Sequence, residues 1–153
     1  MSQLTTVDAR TLTPDVLAEL GRNLRRHDLK ECAAFGLTGE QAVSESVFHR
    51  LSESHAILDE RGRAVWVYGL GHVPVDGAYG IWCLGRDIPY KRYFMQESRR
   101  VIDRWLKDYA PLVNYVSMSN TPSRRWLTWL GAEWGERATV GGVEFIKFIL
   151  RGN

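Results

Sequence analysis

The chain has 153 residues, of which 44% are apolar and 25% charged, a composition that suits one ordinary globular domain with a real core over residues 1–153. Its 20 basic and 18 acidic residues leave a net charge of +2, too balanced for the phosphate-neutralising surface of a dedicated nucleic-acid binder. Residues 1–10 lack a basic stretch followed by an apolar one, no apolar run approaches the roughly 20 residues that span a bilayer, and Cys32 and Cys83 lack CxxC spacing and read as reduced core residues.

Residues 3–7 form a short candidate strand. Thr13-Pro14 then supplies an N-cap followed by proline at the first helical position, and Leu17, Leu20 and Leu24 share one stripe of a helix reaching about His27. Thr38 and Gln41 have capping-box spacing, and Val43, Val47 and Leu51 continue the helical period behind them. The period changes next: residues 55–59 and 64–73 are β-rich and flank Glu60-Arg61-Gly62-Arg63, which predicts a hairpin with glycine in the turn. After Pro74-Val75-Asp76-Gly77, residues 78–84 form the next strand. Pro89 opens the longest helix, with Phe94, Val101, Ile102, Trp105 and Tyr109 on its apolar stripe, and Pro111 ends it. A strand over 112–118 follows, then the cap-and-proline device again at Thr121-Pro122, a helix, and Gly131 where a C-cap belongs. Strands over 133–137 and 143–149 close the chain around Val140-Gly141-Gly142. The order predicts an α/β fold of the mixed-sheet, α+β kind, in which strands 78–84 and 112–118 run parallel, joined by the long helix in a right-handed crossover.

That order resembles the GNAT superfamily of N-acetyltransferases, and Ser119 to Trp134 is similar to its last helix, which an asparagine begins and a glycine ends; Asn120, Trp126 and Gly131 fit those positions. The resemblance implies a central mixed sheet of about seven strands flanked by about four helices. More narrowly, Asp28, Glu31, Cys32 and Ala33, followed by Asp59-Glu60-Arg61-Gly62 and the run from Asn120 to Gly131, resemble small GNAT-like proteins of tailed bacteriophages, some of them internal virion components. That narrower resemblance implies a protein partner, including phage virion proteins, and a location in the host cytoplasm or the virion. If the chain is an enzyme, the resemblance implies acetyl-CoA as cofactor, held by main-chain groups near Trp82, Cys83 and Leu84, by Arg86 or Arg92, and near Asn120.

The chain departs from the superfamily pattern at two places. The turn that is glycine-rich in active members, where backbone amides approach a pyrophosphate, carries Tyr90 and Arg92 at the glycine positions, and their side chains crowd that approach. Where many active relatives have a tyrosine that protonates the departing thiolate, this chain has Leu127, which cannot donate a proton.

Other candidate sites have bland readings beside the functional ones. Gly69-Leu70-Gly71 precedes another strand and reads as a bulge or closely packed strand rather than a nucleotide loop. Arg86, Lys91 and Arg92 can bind phosphates through side chains, against a solvated helix start with mixed charges. Asp28 and Glu31 share a helix face and can divide acid and base roles, against a surface face or a local cap. The four histidines have no metal-ligand spacing, and Ser119, Ser123 and the cysteines lack activating partners. Trp126 reads as core beside Leu130, and Trp129, displaced around the helix, as an interface anchor. Two functions remain: a phage-derived scaffold acting through protein contacts with a degenerate acetyl-CoA site, or an acetyl-CoA-dependent N-acetyltransferase with an atypical pyrophosphate loop.

Overall fold

The first strand, β1 (Thr5–Asp8), ends where the Asp8 carboxylate accepts from the Arg10 N–H at 2.9 Å and caps a short 3-10 turn. The computed structural model describes residues 3–87 and 89–152. The chain divides into two compact units, Met1–Gly71 with Trp82–Asp87, and His72–Ile81 with Ile88–Asn153.

In the first unit the Thr13 hydroxyl accepts from Val16 N–H and Pro14 stands at the first helical position, which starts α1 (Pro14–Arg22) and buries Leu17 and Leu20. The stripe predicts a longer helix, reaching His27. Instead Asn23 ends it: its side-chain amide donates to the Glu19 carbonyl at 2.8 Å, taking the acceptor that its own N–H would use in a continuing helix. A separate α2 (Arg26–Ala34) follows. The capping box of Thr38 and Gln41 forms in both directions, at 2.9 and 3.1 Å, and starts α3 (Gly39–Val47). Val43 and Val47 are fully buried, whereas Leu51 falls in the turn beyond the helix and is exposed, because the helix has already ended at Phe48.

β2 (Ser52–Leu58) begins earlier than its polar Ser-Glu-Ser start predicts. Ser52 and Ser54 are buried because their hydroxyls donate to the His49 and Val47 carbonyls, both at 2.8 Å. β3 (Ala64–Gly71) pairs with it antiparallel across the predicted hairpin, with Gly62 at φ +77°. Gly69 is the close-packing point: a Cβ there would lie 2.6 Å from both the Glu53 carbonyl oxygen and the Trp82 ring.

Asp59 holds that hairpin, accepting at 2.9 Å from Arg61 N–H, Arg63 N–H and Arg63 Nε. Burial pushes the carboxyl pKa up, but the hydrogen bonds from Arg63 and Arg61 outweigh it and hold the group below the usual carboxylate range. Asp59→Asn keeps the shape and loses the charge, so it is expected to cost about 1.5 kcal/mol at pH 7. A depressed folded pKa gives stability that is present above the unfolded value of about 4 and is lost as pH falls through the folded value. Thermal unfolding of the two proteins should therefore differ at pH 7 and converge near pH 2; a gap that stays constant with pH would reject the carboxylate as its source.

The second unit carries α4 (Lys91–Asp108), β5 (Leu112–Ser117), α5 (Thr121–Trp129) and the hairpin of β6 (Glu133–Val140) and β7 (Val143–Leu150). Between the units' halves of the sequence runs β4 (Tyr79–Gly85), whose first residues count with the second unit and whose last count with the first. α4 buries Val101, Ile102 and Trp105, while Phe94 and Tyr109 are only half-buried. Gly141 and Gly142 take positive φ at the β6–β7 turn, and β6 runs past its predicted end at Arg137 to Val140.

Among the described residues seven strands follow the order β1-β2-β3-β4-β5-β7-β6 in a mixed sheet, with five α-helices, one more than expected because of the break at Asn23. β4 and β5 are parallel, as the crossover requires, through Tyr79↔Leu112 and Gly80↔Val113. Next along, the Asn114 side-chain amide, not a main-chain group, donates to the Ile81 carbonyl at 2.6 Å. β5 meanwhile pairs with β7 along its whole length.

Candidate functional site

Three places hold the residues that the sequence singles out. Trp82, Cys83, Leu84 and Arg86 lie on the last part of β4 and the turn after it, in the first unit. Arg92, Asn120 and Trp129 lie on α4, before α5 and on α5, in the second unit.

At the end of β4, Trp82 and Leu84 are half-buried and pack on the core that includes Leu17, Leu20, Val43 and Val47, while strand alternation points Cys83 the other way. Burial pushes the Cys83 thiol up to about 12, with Arg25 offsetting part of the rise. Burial, then Asp28 and Glu31, push the Cys32 thiol up to about 11. Both stay protonated at neutral pH and neither serves as a thiolate nucleophile.

Arg86 turns into the interior: its Nε donates to the Ala64 carbonyl at 3.1 Å and its guanidinium is paired with Glu19. It is buried rather than solvated, and its donors face protein groups. Asp28, expected on a surface face or as a local cap, is likewise buried, at 2% exposure. Its carboxylate accepts from the Arg25 guanidinium at 3.1 to 3.2 Å and from the Gly85 N–H at 3.0 Å. The sequence signal for this was its spacing: Leu24, Asp28 and Cys32 are each four apart, which puts the carboxylate on the buried side.

The start of α4 has a different character. Thr13, Thr38 and Asn120 cap α1, α3 and α5 with side-chain hydrogen bonds; Arg25 before α2 and Tyr90 before α4 make none, and whereas α2 has Asp28 in its first turn, α4 has no acidic residue there. The first helical bond runs from Phe94 N–H to the Tyr90 carbonyl at 3.0 Å, so the amides before it point out of the helix end. Lys91 and Arg92 sit there exposed, and neither makes a hydrogen bond or ion pair among the described residues. Two cations beside the positive end of an eighteen-residue helix are mutually unfavourable, and an anion with several oxygens relieves both.

At α5 the Asn120 side chain accepts from Ser123 N–H at 3.3 Å and is almost fully buried, so it shapes the helix start. Leu127 and Leu130 form the buried stripe. Trp126, expected there with Leu130, is half-buried and turned toward α4: its Nε1 donates to Ser98 Oγ at 3.0 Å and its ring lies 5.0 Å from Phe94. Trp129 is 46% exposed, with the Arg99 guanidinium 4.3 Å above its ring and donating to its carbonyl at 2.7 Å. Leu127 is buried and has no proton to donate.

Among the described residues there is no group of three or more His, Cys, Asp or Glu side chains placed to hold a metal, and no helix is long and apolar enough to cross a membrane.

No protein-family model matches the chain, and no curated protein matches it by sequence. Solved structures do match by shape. A ribosomal-protein-S5-alanine acetyltransferase from Vibrio fischeri superposes with a TM-score of 0.69 at 15% identity, covering 99% of this chain and 93% of that one. A GNAT-family acetyltransferase from Bacillus anthracis gives 0.66 at 11% identity, covering 96% and 92%. The aminoglycoside acetyltransferase AAC(6')-Ib, in a complex with ribostamycin and coenzyme A, gives 0.66 at 15% identity, covering 97% and 93%. The chain therefore has the fold of GNAT acetyltransferases over essentially its whole length.

Proposed function

We propose that the chain is an acetyl-CoA-dependent N-acetyltransferase whose donor phosphates sit at the start of α4. The observation that carries the reading is the helix end without a side-chain cap, beside which Lys91 and Arg92 have no partner among the described residues. It supplies the two things a pyrophosphate needs, outward amides and positive charge, in a chain whose fold is that of acetyltransferases. Tyr90 and Arg92 keep the backbone farther from the phosphates than glycine does, so side-chain charge takes over from close backbone contact.

Acetyl-CoA supplies the activated acetyl group. An acceptor amine attacks its carbonyl carbon, the C–N bond forms as the C–S bond breaks, and the proton the amine gives up balances the thiolate that leaves. Leu127 takes no part in that proton transfer. The chain's contribution is to hold the donor by its phosphates at the charged start of α4.

Titration of the protein with CoA and acetyl-CoA, by calorimetry and thermal shift, tests this. A ligand that binds only the folded state at a hundredfold its dissociation constant adds about 2.7 kcal/mol. For a chain of this size that is a rise in Tm of roughly 5 to 10 °C. An unchanged Tm at millimolar CoA would reject the reading.

The exposed Trp129 supports a second reading, in which the chain works through protein contacts, as an internal component of a phage virion or in the host cytoplasm, and its donor site is vestigial. The same titration separates the two, since only the enzyme reading requires CoA to bind.

A further inference from the structure

We infer that the side of α5 turned from α4 carries a further ligand site, which takes a small molecule bearing an oxyanion on an aromatic ring. The site goes beyond the proposed acyl transfer and does not depend on it. Trp126 and Trp129 make the contacts of α5 to α4, through Ser98, Phe94 and Arg99. Thr121, Arg124, Arg125 and Thr128 follow one another at helical spacing and share the other side of the helix. With Trp134 of β6 they line an open pocket of about 350 Å³, wholly within the second unit, with room for a single ring and its substituents.

The charge of this pocket is unmatched from within the chain. α5 has no acidic residue, and the carboxylates of the neighbouring hairpin are taken by other cations, Glu133 by Arg151 at 2.7 Å, Glu144 by Arg137 at 2.9 Å and Glu136 by Lys147 at 3.7 Å. Arg125 is exposed and has no partner among the described residues. Arg124 is held on one side only: its Nη1 donates to the Met118 carbonyl at 3.1 Å and its guanidinium lies 5.7 Å from the centre of the Trp134 ring. Its Nε is buried and has no hydrogen-bond partner among the described residues. A buried donor left unpaired is costly, and the edge formed by Nε and Nη2 matches the two oxygens of one carboxylate or phosphate. The hydroxyl of Thr128 is spent on the Arg124 carbonyl at 2.8 Å, whereas that of Thr121 has no partner among the described residues and is free to donate. The ring follows from the walls. Trp134 is half-buried, and beside its indole the pocket offers threonine methyls and arginine methylenes. A bare inorganic anion leaves those apolar walls uncovered, and an uncharged ring leaves two guanidinium groups unmatched.

Four probes on the full chain test the site by ligand-observed NMR. Benzoate and phenyl phosphate carry both ring and oxyanion, benzyl alcohol lacks the charge, and acetate lacks the ring. The first two are expected to bind with dissociation constants of about 1 mM, and the last two at least about tenfold more weakly. The tighter of the two aryl anions identifies the oxyanion that the site is built for. Arg125→Ala and Trp134→Leu should each raise the dissociation constants for both aryl anions about fivefold or more. Arg124→Lys, which keeps the charge and loses the fork, should do the same. Arg104→Ala removes an equal charge from an exposed position on α4 outside the pocket and should leave both within about twofold. Absence of binding by either aryl anion at about twentyfold the expected constant would overturn the site, as would wild-type affinity in both arginine variants of the pocket. So would benzyl alcohol binding as tightly as benzoate, the mark of a merely apolar patch. A loss in Arg104→Ala equal to that in Arg125→Ala would also overturn it, as the mark of general attraction for anions. Should Trp134→Leu not fold, Arg125→Ala decides, because that side chain holds nothing else among the described residues. Whether CoA binds at α4 leaves each of these outcomes unchanged.

Discussion

Gly39→Ala is expected to lower stability by about 3 kcal/mol, at the upper end of what overpacking usually costs. Two local effects oppose each other. Gly39 is the first residue of α3, where alanine is the better helix former by up to about 1 kcal/mol. The new methyl, however, would stand 2.0 Å from the Gly21 carbonyl oxygen and 3.0 Å from a Leu29 methyl. The contact is reciprocal, since a Cβ at Gly21 would meet Glu40 Cα at 2.5 Å. An oxygen of the backbone cannot rotate away as a side chain can, so α1 and α3 must separate, and the separation loosens the core around Leu17, Leu20, Val43 and Val47. The steric term therefore wins, and thermal unfolding should show a Tm loss of roughly 10 °C. Gly80→Ala is the matched control, because a Cβ there meets nothing within 4 Å. If both variants melt with wild type, helices α1 and α3 do not cross at these glycines.

Much of the fold is legible in the sequence wherever a local rule has one outcome. The cap-proline pair at Thr13-Pro14 and the capping box at Thr38 start helices because a side-chain oxygen beside an apolar stripe has few other uses, whereas at Thr121-Pro122 the cap falls one residue earlier, on Asn120. Gly62 and Gly131 occupy positive φ where turns were read. What the sequence hides are cases in which distant groups satisfy a residue. Asn23 breaks a helix that its neighbours' spacing continues, through one amide bond to Glu19. Ser52 and Ser54 enter a strand because carbonyls at the end of α3 receive their hydroxyls. Trp126 leaves the buried stripe because Ser98 offers an acceptor on α4. The candidate site divides the same way. The charges at Lys91 and Arg92 are local and readable, whereas the helix start, predicted at Pro89, lies at Lys91 behind Tyr90. The partners of Asp28 and Arg86 are not readable, since Gly85 and Glu19 lie far off in sequence, although the spacing of Asp28 to Cys32 marks its side of α2 as buried.

The second large effect is expected at the start of α4, where Lys91→Ala combined with Arg92→Ala should weaken CoA binding about thirtyfold. Two hydrogen bonds to charged oxygens are worth about 3 kcal/mol when sheltered, near a hundredfold in affinity, and the exposure of both side chains reduces this through screening. The loss should depend on salt. At about 0.1 M salt the screening length is roughly 10 Å and at 1 M roughly 3 Å, so wild-type affinity should fall steeply over that range while the double variant changes little. Stability should not suffer, because removing two cations from the positive end of a helix relieves repulsion. Arg86→Ala should do the reverse. Its guanidinium is committed to Glu19 and the Ala64 carbonyl, so its removal leaves a partly buried carboxylate unpaired and lowers Tm, while CoA affinity of the folded protein holds. Calorimetry at two salt concentrations on the three proteins, with unfolding followed in parallel, gives each affinity and Tm. Equal CoA affinity in wild type and the Lys91/Arg92 variant at low salt would show that these side chains do not hold the phosphates, and a loss confined to Arg86→Ala would move the anion site to the end of β4.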